Sequence, residues 1–221
     1  MIIAIDGPAG SGKGTLARRL AAHYRVPHLD TGVLYRAVGL RVLRAGGDPA
    51  SEDEAVAAAR LVTAKELSDP QLRADETAQA ASVVAAIPAV RDVLRDFQRK
   101  FASQEGGAVM DGRDIGTVIA PGANAKIFVT ASIGVRARRR WSELRQLHPD
   151  LKLSEVEADM RRRDARDSGR TISPLRPADD ALILDTDDLD PAAVFARALA
   201  HVDKSAGKTP DSPCEPDDRS V

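Results

Sequence analysis

A chain of 221 residues with 43% hydrophobic content can bury a core of its own, and with aromatics at 3% that core must be built from Ala, Val, Leu and Ile. Charged residues reach 29% but cancel to a formal net charge of −1, which removes any global electrostatic reason to bind nucleic acid or an acidic membrane and leaves only local basic clusters for a small anion. One cysteine, Cys214, excludes an internal disulfide, and there is neither a basic-apolar leader nor a membrane-length apolar run, so a cytoplasmic, non-membrane protein is expected.

Ile2 to Ile5 is a short apolar run that ends at Asp6 and reads as a buried strand. A glycine-rich turn comes next, then a helical pattern from Gly14 to Tyr24 with Leu16, Ala17, Leu20 and Ala21 on one face. Thr31 to Leu43 repeats that pattern through Leu34, Val38 and Val42, with Thr31 placed to cap it. Ser51-Glu-Asp-Glu54 has the spacing of a capping box, with acidic residues on the positive end of a third helix. Asp75 to Ile87 is alanine-rich and helical, and Pro88 opens another helix through Val90, Leu94, Phe97 and Phe101. Ala108 to Met110 reads as a strand ending at Asp111. Lys126 to Val129 reads as another, with Thr130 and Ser132 available to cap the helix beyond it. Ser154-Glu-Val-Glu157 opens an arginine-rich helix, Ala181 to Leu184 is a last strand ending at Asp185, and Asp190-Pro191 starts a final helix. Residues 1–203 form the folded domain. From Lys204 onward the composition is Pro, Asp, Ser and Lys, which predicts a disordered tail over 204–221.

Short buried strands alternating with helices predict an α/β fold with a parallel sheet covered on both faces. Ligands of such sheets bind beyond the carboxyl ends of the strands. Asp6, Asp111 and Asp185 sit at those ends.

The most informative segment is Gly7-Pro8-Ala9-Gly10-Ser11-Gly12-Lys13-Gly14-Thr15. Gly7, Gly12 and Lys13 have the spacing of a phosphate-binding P-loop. Glycines let the backbone aim its N–H groups at one point, the helix after the loop adds its positive end, and Lys13 supplies a mobile cation. Strict P-loops place Ser or Thr directly after the lysine, whereas here Gly14 intervenes, a form that resembles nucleoside monophosphate kinases. Thr15 is thereby left three roles toward magnesium and phosphate: ligand of the ion, contact to phosphate, or partner through water.

Three further segments narrow the reading. In Leu29-Asp-Thr-Gly-Val-Leu-Tyr-Arg36, Arg36 lies just over a turn into its helix. In Asp111-Gly-Arg-Asp114, Arg113 can grip phosphate in bidentate fashion and Asp114 can accept from an amino group. In the run from Arg161 to Arg170, Arg163, Arg166 and Arg170 share a helical face by spacing, Gly169 ends the helix or hinges it, and like charges so placed call for an anion. Taken singly, each also reads as a cap, an ordinary turn or a solvated surface.

Together these segments, with Ala80-Ala-Ser82, Val90-Arg91, Ile115-Gly-Thr117, Lys126-Ile-Phe128 and Arg163-Asp-Ala-Arg-Asp167, resemble bacterial cytidylate kinase over Ile2 to about Val202. The resemblance implies a five-stranded parallel P-loop kinase sheet, a helical acceptor-binding insertion over about 31–106, and a short arginine-rich lid over about 150–172. It implies that Gly7 through Thr15 hold the ATP phosphates and that Ser82, Arg91 and Asp114 read cytosine. Thr31 falls within the acceptor site; Arg36, Arg113 and Arg170 hold the monophosphate and the transferring group; Arg163 and Asp167 approach the ribose; Arg136 and Arg140 flank the donor adenine. Lys13, Arg113, Arg163 and Arg170 become the catalytic set, with Mg2+ accompanying ATP, CMP or dCMP as acceptor, no nucleic-acid partner, and a monomer as the expected state. One departure is length: Leu61 to Asp75 is short and mostly helical where the family carries a small β-rich insertion, so closure of the acceptor region and rejection of other pyrimidines do not carry over.

Such a reaction rests on positioning and charge neutralisation, and its acceptor phosphate needs no strong general base. His23, His28, His148 and His201 are accordingly scattered. A kinase for UMP, AMP or another small acceptor, and a non-catalytic nucleotide-binding switch, are the alternatives.

Overall fold

The computed structural model describes residues 1–146 and 148–207. Its strands are β1 (Ile2–Asp6), β2 (His28–Asp30), β3 (Ala108–Gly112), β4 (Ala125–Thr130) and β5 (Leu182–Asp185), which form one sheet in the order β2-β3-β1-β4-β5. Every pairing is parallel; Asp6 lies opposite Gly112 on one side and Phe128 on the other. Parallel pairing demands crossovers, and the intervening helices supply them. α1 (Lys13–Tyr24) and α8 (Pro191–Ser205) cover one face of the sheet. α2 (Thr31–Arg44), α3 (Glu52–Arg60), α4 (Asp75–Val84) and α5 (Pro88–Ala102) build the other side.

Strand alternation sorts the core. Ile3, Ile5, Val109, Ile127 and Val129 face α1 and α8, while Ala4, Leu29 and Met110 face the α2–α5 layer. α6 (Ile133–Leu144) and α7 (Leu153–Ser168) pack on each other through Ala137, Leu144, Val156 and Met160, apart from the two main cores.

Caps agree with the sequence in most places. Ser51 accepts from the Glu54 N–H, Ser132 from Val135, and Asp190 from Ala192 and Ala193. Two helix starts differ from expectation. Asp30 caps α2 by accepting from Gly32 at 2.9 Å, whereas Thr31 is the first helical residue and donates instead to the Asp111 carbonyl at 2.9 Å. The arginine-rich helix starts at Leu153, a residue before the expected opening at Ser154, and Glu155 accepts from the Lys152 N–H at 3.1 Å.

The region between α3 and α4 folds as two short 3-10 turns, Ala64–Ser68 and Pro70–Arg73. A single π-turn, Ile115–Ile119, comes after the Asp-Gly-Arg-Asp segment. Lys204 and Ser205, assigned to the tail by composition, end α8; the rest of that predicted tail lies, from residue 208, outside the described residues. Among the described residues no helix is long and apolar enough to cross a membrane.

Candidate active site

β1 delivers the chain into the phosphate loop. Gly7 has φ +153°, and a Cβ there would fall 2.1 Å from the Val129 carbonyl oxygen, so only glycine allows the loop to leave the sheet at that point. Gly10, at φ +74°, lies against Arg136 and Met160, which seats the loop on α6 and α7. The N-terminus of α1 then opens at Gly12 toward a cleft of about 530 Å³ at the carboxyl ends of the strands. The residues from Ala9 to Thr15 line that cleft, as do Asp30, Arg36, Asp111, Arg113, Arg140 and Arg163.

Lys13 reaches back to the Pro8 carbonyl at 3.4 Å. Burial, reinforced by the nearby Arg113, pushes its ammonium down to about 7, against the pull of Asp111 and Asp30. Ser11 is fully buried and its hydroxyl has no partner among the described residues. Asp6, one residue before the loop, is 4% exposed and accepts from the N–H groups of Ile115 and Gly116, each at 2.8 Å. Burial pushes its carboxyl up to about 7 despite those two bonds. Asp6 therefore ties the strand that feeds the phosphate loop to the turn that comes after Asp114.

Opposite the loop stands a cluster of arginines organised by one carboxylate. Asp167 accepts from Arg113 Nε at 2.9 Å and from Arg170. Burial opposes its charge, but Arg113, Arg170 and Arg163 outweigh it and hold the carboxyl below the usual range. Arg163 is driven the other way, by burial and by the positive Arg113 beside it, and its Nε has no partner among the described residues. A guanidinium does not give up its proton in a protein, so a bound anion would offset the burial of Arg163 and its repulsion from Arg113. Arg166, grouped with Arg163 and Arg170 by helical spacing, is exposed; α7 ends at Gly169, so Arg170 lies off the helical wheel and Asp167 takes the central place.

The expected base-reading residues are divided. Arg91 and Asp114 are buried and paired with each other at 2.5 Å, with Arg91 also on the Ala85 carbonyl at 3.2 Å and 5.4 Å above the Tyr35 ring. Ser82 is buried on α4, its hydroxyl without a partner among the described residues. It opens into a second cavity of about 170 Å³ between α4, α6 and α7, which shares Ala9, Gly10, Arg140 and Arg163 with the main cleft.

The far end of the cleft was not read from the sequence. Thr186, just past β5, is buried: it donates toward the carbonyls of Ser11 and Thr130 and accepts from Arg139 at 3.1 Å. Leu189, Pro191 and Val194 line the cleft beside it. Asp185, the strand-end carboxylate expected to join the chemistry, is exposed and accepts from the Asp187 N–H. Arg136 is also differently engaged: its guanidinium bonds the Ala131 and Ala9 carbonyls and Asp164, behind the phosphate loop, while Arg140 lines the cleft and pairs with Asp75 at 3.3 Å.

For a magnesium ion brought in with a nucleotide, the chain offers Thr15 on α1 and Asp111. Asp111 Oδ2 lies 3.7 Å from where a side chain on Gly14 would begin, and its Oδ1 is held by His28 Nε2 at 2.7 Å. One carboxylate and one hydroxyl fit a small hard cation that takes most of its ligands from water and phosphate. Among the described residues no group of three or more His, Cys, Asp or Glu is placed to hold a metal by itself.

A family model described as cytidylate kinase matches residues 3–204. A protein named cytidylate kinase from Xanthobacter autotrophicus is 58% identical over 209 residues, covering 94% of this chain and 100% of that one. Its namesake from Methylocella silvestris is 55% identical over 205 residues, covering 93% and 95%. Among solved structures, an uncharacterized protein from Eubacterium ventriosum matches with a TM-score of 0.54 at 15% identity, over 92% of this chain and 98% of that one; likeness at that identity speaks for the fold alone.

Proposed function

The chain belongs to the cytidylate kinase family, and from that premise we propose that it transfers the γ-phosphoryl group of ATP to CMP or dCMP, giving CDP or dCDP and ADP. The observation that carries the reading is the arrangement of Arg113, Arg163 and Arg170 around Asp167, with Arg113 and Arg163 lining the same cleft as the phosphate loop and Lys13. That arrangement suits a group passing between two anionic partners, where charge spread over the transferring oxygens is met by fixed cations.

In this reading the N–H groups of Gly10 to Thr15 and the Lys13 ammonium hold the donor's outer phosphates. Arg36 and Arg113 grip the acceptor's phosphate, which is itself the nucleophile. Arg163 and Arg170, on the lid segment of about 150–172, complete the charge when it closes over the acceptor-binding region of about 31–106, and closure excludes water as a competing acceptor. Asp167 orients Arg113 and Arg170 and lies toward the ribose. Ser82, Arg91 and Asp114 recognise the pyrimidine: a buried hydroxyl and a buried ion pair supply both donors and an acceptor for a base edge. Thr15 and Asp111 would hold a magnesium ion brought in with the nucleotide, which would supply charge neutralisation at the phosphates.

The test uses ATP labelled at the γ-phosphoryl group, CMP and magnesium. Label recovered in CDP supports the reading. Label released only as inorganic phosphate, or retained in ATP, contradicts it.

A further inference from the structure

We infer that the short segment 63–74 is a positioning strap that presents Arg36 to the acceptor's phosphate, with Leu72 as its anchor. The inference rests on the kinase reading and extends it to residues outside the walls of the cleft.

α2 carries the arginines Arg36, Arg41 and Arg44, and each is bonded to this segment. Arg36 Nη1 donates to the Leu72 carbonyl at 2.7 Å. Arg41 pairs with Glu66. Arg44 pairs with Asp69 at 2.7 Å and donates to Gln71 Oε1 at 2.6 Å. The strap is itself held in shape. Glu66 Oε2 accepts from both the N–H and the hydroxyl of Thr63, at 2.8 and 2.9 Å, and Asp69 caps the second turn by accepting from the Gln71 N–H at 2.9 Å. Pro70 fixes the backbone where that turn begins.

Leu72 is 4% exposed and packs in its own small cluster with Ala37 and Leu40. Those residues lie one and four positions beyond Arg36, so the anchor sits on the stretch of α2 that carries it. The chemistry of the contact suits a substrate-binding arginine. A carbonyl oxygen orients the guanidinium but does not neutralise it, whereas a carboxylate there would compete with the incoming phosphate. Among the described residues one of its five donor hydrogens is committed, which leaves the others for an anion. A strap of this kind sets the geometry of Arg36 where Leu61 to Asp75 is too short to form a larger insertion, and its effect is confined to the acceptor side.

The experiment is steady-state kinetics of the full chain with CMP and ATP varied in turn. Leu72→Ala should raise KM for CMP by at least about fivefold, since displacing a positioned group by a fraction of an ångström is felt strongly, with KM for ATP within about twofold of the parent. Leu72→Met, which conserves volume, should restore parent values. In an Arg36→Ala background, adding Leu72→Ala should change KM for CMP by less than about twofold, because there is nothing left to position. If Leu72→Ala does not fold, the exposed pair Arg44→Ala with Gln71→Ala loosens the same strap and should shift KM for CMP alone. An unshifted KM for CMP, equal rises for both substrates, or an undiminished effect in the Arg36→Ala background would overturn the strap. Absence of CMP turnover in the parent would sink the kinase reading, and the strap's role with it.

Discussion

Among the described residues Asp6 is a buried carboxyl with no salt-bridge partner, only the longer-range pull of Arg113, and its titration sets a slope in stability. Burial pushes its folded-state value up to about 7, while the unfolded chain leaves it near its ordinary 3.8. The sign comes from proton binding. Well below pH 3.8 both states hold the proton and Asp6 contributes no slope. Above it the unfolded chain releases the proton while the folded chain keeps it, so stability falls as pH rises until the folded value is passed. Between pH 5 and pH 8 the loss works out at about 2–3 kcal/mol. Asp6→Asn cannot ionise and has no such slope, although it replaces one acceptor of the Ile115 and Gly116 N–H groups with a donor and is offset by a constant penalty. The assay is urea denaturation of both proteins at pH 5, 6, 7 and 8. The difference in unfolding free energy, parent minus variant, should fall by about 2–3 kcal/mol across that range, other titrations cancelling in the subtraction. A constant difference, or one that grows with pH, would refute the reasoning.

Lys13→Met should lower kcat/KM for ATP by about 10²–10³-fold while the far-ultraviolet circular dichroism stays that of the parent; turnover at the parent rate would dismiss the phosphate-loop assignment. Asp114→Ala strands the Arg91 guanidinium in the interior and should cost about 3–5 kcal/mol in urea titrations. The isosteric Asp114→Asn keeps an acceptor for Arg91, should be milder, and should impair CMP more than ATP. Gly39→Ala places a Cβ 2.9 Å from Ala80 Cβ and from the Ala81 nitrogen where α2 meets α4. Its overpacking, about 1–3 kcal/mol, should exceed the helix-propensity gain of up to about 1 kcal/mol and lower the thermal midpoint; an unchanged midpoint would show that the two helices part without cost.

What was legible in the sequence was chemistry carried by contiguous residues. The phosphate loop declares itself because glycines, lysine, strand and helix all fall within the first two dozen positions. Asp111-Gly-Arg-Asp114 was visible for the same reason, at the end of an apolar run. β2 is not legible in the sequence because His28–Asp30 is too short to show alternation; its strand character comes from pairing with β3, a partner about eighty residues away. Thr31 and Asp30 are both competent caps, and the end of β2 decides between them. Helical spacing joined Arg163, Arg166 and Arg170, but the helix stops at Gly169, so Asp167 rather than Arg166 faces the other charges. Thr186 and the Leu72 carbonyl were invisible because every contact that matters to them is long-range.

Acceptor identity is the central claim, and the measurement that tests it most directly is ADP release with ATP, magnesium and each of CMP, dCMP, UMP and AMP under identical conditions. CMP and dCMP should turn over well above the others, and Lys13→Met should lower the signal for every acceptor by about 10²–10³-fold. Turnover led by UMP or AMP would contradict the assignment of Ser82, Arg91 and Asp114 to cytosine, and no turnover with any acceptor would contradict the kinase itself.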